Sequence, residues 1–230
     1  MSELTFDEAR HRYTLDGAPV PSVTTILSQG MPKPGLTYWA ANTVASYAVA
    51  NREAGYDELR HAPWAERDKA AVRGTVVHKY AEKLAHGEDV EVPAEIASYV
   101  QGAVDFLDDY DVQPLFTEAR LASTTYGYAG TADLFATMGL ETWLLDWKTS
   151  KGVHGDYFMQ LAAYAKADFL IDAAGRAVAV PEVDRIGVVH LTPDGATLIE
   201  GPDIGPAFAA FLKVKDVAEV MKEIKSWEKK

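Results

Sequence analysis

The stretch TWLLDWKTSK, residues 142 to 151, carries an aspartate and a lysine two positions apart at the end of an apolar run. In a strand, successive side chains point to opposite faces, so Asp146 and Lys148 share one face and Trp147 takes the other. Trp143, Leu144 and Leu145 imply burial on both sides, and a buried charge is costly unless it is paired or bound to a metal. An ion pair at a sheet edge is the simplest reading of such a pattern. A second carboxylate widens it. GYAGTADLF, residues 127 to 135, is a glycine-rich approach to a strand that contains Asp133, and a hairpin through Met138-Gly139-Leu140-Glu141 lets Asp133 lie beside Asp146. Two close carboxylates repel unless a divalent cation sits between them. Lys148 beside such an ion can orient or deprotonate a water and stabilise negative charge developing on a phosphate.

Two helical segments carry further polar groups at matching spacing. In RGTVVHKYAE, residues 73 to 82, His78 and Glu82 are four apart and share a helix face, with Gly74 one turn earlier, where a missing side chain allows close backbone approach. Imidazole is a good manganese ligand and a tolerable neighbour of magnesium, although a lone histidine is more often simply hydrogen-bonded. Gln160 and Tyr164 also share a helix face, offering an amide and a phenol in line, and the helix that follows the Lys148 strand can fold back over the carboxylates.

The elements that position these groups follow from turn and period signals. Residues 4 to 15, with the Asp16-Gly17 turn and Ala18-Pro19-Val20, read as a short hairpin, and Pro21 to Leu27 reads as either a strand or a helix start. Helices are expected from about Thr37 to Glu53 and from about Ala65 to Ala85, with Gly55 and Pro63 in the loop between them and Gly87 closing the second. Pro93 starts another, with Ile96, Val100, Val104 and Leu107 at helical spacing. Strands follow at 115 to 121, 126 to 137 and 142 to 149, then a helix at about 157 to 173, strands at 185 to 191 and 196 to 199, and a last helix from about Pro206 to Trp227. This order predicts an α/β (α+β mixed) fold: a central mixed sheet flanked by helices, within a single domain.

A chain of 230 residues suffices for one sizeable core. It has no apolar run near the roughly 18 to 20 residues of a membrane span, and its charged N-terminus is unlike a signal peptide, so a cytoplasmic protein without membrane contact is expected. With no cysteine, neither an iron-sulfur cluster nor a thiolate zinc site can form, and oxygen and imidazole donors favour Mg2+ or Mn2+. A net charge of -12 argues against broad nonspecific nucleic-acid binding, while leaving room for a local site. Basic residues gather at Arg67, Lys69, Arg73, Lys79 and Lys83, and in the tail from Lys213 to Lys230, where alternation with acids reads as a solvated helix face.

Taken together, R-G-T-x-x-H-x-x-x-E, G-T-A-D, D-W-K and Q-x-x-x-Y resemble the PD-(D/E)XK nuclease superfamily, in its RecB-like exonuclease branch. The motifs cover residues 73 to 164, and P-S-V-T-T-I-L and K-P-x-L-x-x-W-A look like the region before the core in phage and prophage members. The resemblance implies a restriction-endonuclease-like core at residues 64–200, a helical N-terminal elaboration at 1–63 and a C-terminal helix at 201–230. It implies that His78, Asp133, Asp146 and the backbone carbonyl of Trp147 hold Mg2+ or Mn2+, that Lys148 is the catalytic lysine, and that Gln160 and Tyr164 support the site and contact DNA. Arg73, Thr75 and Lys79 join them as DNA-binding candidates, and Glu82 and Glu118 stand as further metal candidates. Several RecB-like relatives carry four cysteines around an iron-sulfur cluster, and this chain departs from them in having none.

The expected activity is metal-dependent exonucleolytic hydrolysis of DNA ends to 5'-phosphates, in phage recombination, repair or processing. A strand-annealing or RecA-like protein is the partner the resemblance implies, and the oligomeric state is open. A structure-specific or nicking endonuclease on the same core is the nearest rival, and a non-enzymatic DNA-binding protein a more distant one. A non-haem iron oxygenase fits poorly, because Tyr80 stands where an H-x-[DE] pattern needs a carboxylate and Lys148 would have no role. No nucleotide-binding G-x-x-x-x-G-K-[ST] loop is present.

Overall fold

A computed structural model describes residues 3–85 and 90–228, so Gly87, Lys229 and Lys230 lie outside the described residues. The N-terminus forms an antiparallel meander of β1 (Leu4–Asp7), β2 (Arg12–Leu15) and β3 (Ala18–Val20). Asp16 and Gly17 join β2 to β3 with φ of 50° and 79°, the paired positive values that let a two-residue turn follow the strand twist.

The ambiguous segment after β3 is helix α1 (Val23–Gly30). Ser22 Oγ accepts the Thr25 N–H at 3.1 Å, and Val23, Ile26 and Leu27 turn into the core, so capping and burial outweigh the β-branched content. Three helices follow: α2 (Pro34–Ala50), α3 (Tyr56–Ala85) and α4 (Ala97–Asp109). Pro63 is inside α3, not in a loop before it. Glu58 Oε2 accepts the Gly55 N–H at 3.0 Å and closes the helix start upstream of the proline, which then removes only one intrahelical bond. Pro93 likewise precedes α4 by a turn, its carbonyl accepting the Ile96 N–H at 3.1 Å.

The main sheet comprises β4 (Gln113–Ser123), β5 (Tyr128–Met138), β6 (Glu141–Lys148), β7 (Phe169–Ile171), β8 (Ala177–Val178), β9 (Arg185–Thr192) and β10 (Gly195–Glu200), in the order β10-β9-β6-β5-β4-β7-β8. β6 and β9 run parallel; the other neighbours are antiparallel. With helices α5 (Gly155–Ala165) and α6 (Ile204–Trp227), this is a mixed α/β fold.

Helix α5 ends eight residues before the expected Ala173, and Phe169-Leu170-Ile171 is a strand paired with β4. The cause is Asp168, whose carboxylate accepts the Thr124 hydroxyl at 2.6 Å and the Thr125 N–H at 2.9 Å, while its own N–H donates to the Ala122 carbonyl. A short apolar run fits helix and strand periods equally, so only this tertiary clamp decides.

Two apolar clusters sandwich the sheet. One joins β5, β6 and β9 to α1, α5 and α6; the other joins Leu134, Leu145, Trp147 and Val189 to α3 and α4. Among the described residues, no helix is long and apolar enough to cross a membrane. Helix α1 crosses α6 at Gly30, where an added Cβ would lie 2.2 Å from the Val214 carbonyl oxygen. Backbone cannot yield as a side chain does, so Gly30→Ala is expected to destabilise by about 2 to 3 kcal/mol. The measurement is a urea midpoint lowered at unchanged slope.

Candidate metal centre and its lysine

Strands β4 and β5 break their alternation at the same place. Phe116 and Ala119 pack in one apolar cluster although three residues apart, and so do Ala132 and Phe135. The ladder runs through Thr117–Leu134 and Ala119–Ala132, skipping the pair between them, Glu118 and Asp133. Glu118 has φ of 44°, an uncommon conformation for a side chain without local compensation. Both strands therefore switch faces at these two carboxylates.

The β5–β6 ladder extends from Met138–Glu141 to Leu134–Leu145. Beyond it, the Trp147 N–H donates to Asp133 Oδ2 at 2.9 Å, so a side chain replaces the next strand carbonyl. Helix α3 completes the group: His78 Nδ1 lies 3.3 Å from Asp133 Oδ2, and His78, Glu118 and Asp133 each offer a donor atom within 4.8 Å of the others. Gly74, one turn before His78, faces the end of β6, where a Cβ would meet Thr149 Oγ1 at 3.5 Å.

Asp146 is engaged differently. It is 2% exposed, its Oδ1 accepts the Gln160 amide at 3.2 Å, and its Oδ2 forms an ion pair with the Lys148 ammonium. Burial raises the Asp146 pKa, against the pull of Lys148. Burial likewise pulls Lys148 down, but the Asp146 and Asp133 carboxylates outweigh it and the net shift is upward. Lys148 is thus an ammonium at neutral pH. Its Nζ also stands 5.1 Å from the centre of the Tyr157 ring. Tyr157 donates to Ser150 Oγ at 3.3 Å, and His190, the β9 register partner of Lys148, reaches the Ser150 carbonyl at 2.7 Å.

The candidate residues divide by placement. His78 and Asp133 converge with Glu118, while Asp146, Lys148 and Gln160 form an adjoining buried chain. Glu82 lies outside the three-donor group but close enough to raise the Glu118 pKa. Tyr164 is 3% exposed, its ring filling the space above Gly130, where a Cβ would stand 2.4 Å from Cε1. Burial raises its pKa well above the usual value, and the nearby Tyr13, Asp146, Asp133 and Glu118 add to that rise. Trp147 packs its indole edge-on to Phe106 in the other cluster. Arg73 is half-buried, its guanidinium 5.4 Å from the Tyr99 ring centre. Thr75 donates its hydroxyl to the Ala71 carbonyl at 3.1 Å, and Lys79 is exposed.

Sequence reading missed Tyr157, Ser150 and His190, and ranked Glu118 behind Asp146. A polar residue one turn before Gln160 was a visible signal for Tyr157; the Glu118 φ had none. The donor set itself, imidazole and carboxylates without thiolate, suits Mg2+ or Mn2+.

Burial raises the Glu118 pKa to about 8, reinforced by Asp133, Glu82 and Asp146 and opposed by Lys148. The side chain keeps a solvent-exposed edge, which tempers the burial contribution, so the upward direction rests most firmly on the three acids around it. A folded-state value above the unfolded one adds stability that is present below about pH 4.5 and lost as pH rises through about 8. In EDTA, Glu118→Gln is expected to flatten that decline, read from denaturant midpoints across the same window.

No protein-family model matches this chain, and no curated protein matches it.

Proposed function

We propose that this protein is a divalent-metal-dependent deoxyribonuclease, an exonuclease acting at DNA ends. The observation that carries the reading is the junction of two groups at one break in the sheet: His78, Glu118 and Asp133 on one side, and Asp146, Lys148 and Gln160 on the other. The sequence resemblance to RecB-like nucleases implies His78, Asp133, Asp146 and the Trp147 carbonyl as the residues that would hold Mg2+ or Mn2+, and the geometry adds Glu118, whose carboxylate lies within reach of His78 and Asp133. When bound, such an ion supplies Lewis-acid polarisation of the scissile phosphate and lowers the pKa of the attacking water.

The chain's own residues do the rest. Lys148, kept as an ammonium, orients the water through its N–H groups and stabilises negative charge as it develops on the phosphate. Gln160 fixes the Asp146 carboxylate, and Asp146 fixes Lys148. Tyr164, buried against Gly130, packs beside this chain of contacts and limits the solvent around Asp146. An acidic protein that cuts DNA needs counter-charge where the phosphate sits, and Lys148 is a local source of it.

The test is digestion of linear and covalently closed forms of one plasmid, each with Mg2+, Mn2+ or EDTA. The reading expects loss of the linear form alone, and only with metal. Nicking of the circle would replace it with an endonuclease on the same site. Cleavage of neither would sink the enzymatic reading and leave a binding role.

A further inference from the structure

A groove of about 540 Å3 runs between the N-terminal meander, the start of α1 and helix α6. Its walls carry Arg10, Arg12, Lys215 and Lys222 against one carboxylate, Glu219. In a chain with 34 acidic and 22 basic side chains, an unselected groove would be expected to have the opposite balance. Glu219 is already paired with Lys215, and Arg10 stands 3.7 Å from Asp7. Arg12 and Lys222 are exposed and form no ion pair among the described residues. Two cations without an ion-pair partner among the described residues thus line one groove, on segments some two hundred positions apart in sequence.

The groove also adjoins the carboxylates. Tyr13, a wall residue, is hydrogen-bonded through its hydroxyl to Thr131 Oγ1 at 2.7 Å. Thr131 lies two positions before Asp133 on β5, where the strand switches faces, and Tyr13 itself is close enough to Glu118 for that carboxylate to add to the rise that burial causes in the Tyr13 pKa. The wall also includes Ser22 and Thr25, at the N-terminus of α1, whose backbone dipole adds partial positive charge. The volume suits a short length of single strand rather than the girth of a duplex.

We propose that this groove binds the phosphates of one DNA strand and leads that strand to the candidate metal centre. The assignment rests on the nuclease reading and adds to it the path of the substrate. Single-strand grooves of this kind combine cations that follow the backbone with aromatic side chains, and Tyr13 supplies the aromatic wall.

The experiment measures fluorescence anisotropy of a labelled single strand of about 20 nucleotides in EDTA, over a series of salt concentrations. The wild-type chain is expected to bind with a clear salt dependence. Arg12→Glu with Lys222→Glu should weaken binding roughly 10- to 100-fold and reduce the salt slope by about 1.4, the loss of two single-strand phosphate contacts. Lys222→Glu alone, on an exposed face of α6, should give a smaller loss and guards against misfolding of the double variant. Lys166→Glu, in the separate acid-rich cleft with Asp184 and Glu200, should bind as wild type does. Unchanged affinity and slope in both groove variants, with wild-type cleavage intact, would overturn the groove alone. If the wild-type chain neither binds nor cuts DNA, the nuclease reading falls and the groove assignment with it.

Discussion

Lys148→Ala should leave a folded protein that still binds divalent metal but hydrolyses DNA about 10²- to 10⁴-fold more slowly. The ammonium sits against the Asp146 carboxylate and over the Tyr157 ring, and it contributes no atom to the His78, Glu118 and Asp133 group. Its removal therefore subtracts charge stabilisation and water orientation while leaving the donors in place. Truncation also leaves Asp146 buried with only Gln160 as a neutral partner. That raises the Asp146 pKa further, because burial then acts without the opposing cation. Lys148→Arg keeps the charge but not the compact ammonium, and should recover only part of the rate. Turnover on a linear duplex, measured beside calorimetric Mn2+ binding, separates these effects. Near-normal turnover in Lys148→Ala would remove the lysine from the mechanism.

How much of this was legible before folding depends on the range of the interaction. The β5–β6 hairpin was readable because Gly139 and its neighbours are a local turn signal, and Gly139 does take a φ of 62°. The helix holding His78 was readable from its period, but its start was not, since Pro63 reads as a boundary and Glu58 closes the helix upstream of it. Asp168 shows the harder case: its clamp on residues 123 to 125 ends α5 through a contact 43 positions away. The candidate site divides in the same way. Asp146 and Lys148 share a strand face and were visible together, whereas Glu118 reaches Asp133 only because β4 and β5 switch faces at one point, a backbone event without a residue signature. The tail lysines read as a solvated face, and only the folded chain brings Lys222 of α6 and Arg12 of β2 to the walls of one groove.

Asp133→Asn should produce opposite effects with and without metal. Asp133 Oδ2 lies 3.3 Å from His78 Nδ1, accepts the Trp147 N–H, and stands opposite Glu118. Its carboxylate raises the pKa of both Glu118 and Asp146, which is the mark of repulsion among acids gathered without a counter-ion. Asparagine keeps an oxygen for the Trp147 N–H and removes that repulsion. In EDTA the variant should thus melt at or above the wild-type temperature. With Mn2+ the order reverses: the wild-type chain gains about 2.7 kcal/mol at a hundredfold excess of ion over its dissociation constant, and the variant gains little. Loss of an outer contact to a ligand already weakens metal binding by 10- to 100-fold, so loss of a ligand charge should weaken it by at least about 10². Paired melting curves in EDTA and Mn2+ read both signs at once. A variant destabilised equally in both would make Asp133 a structural residue of the strand junction and remove it from the proposed metal centre.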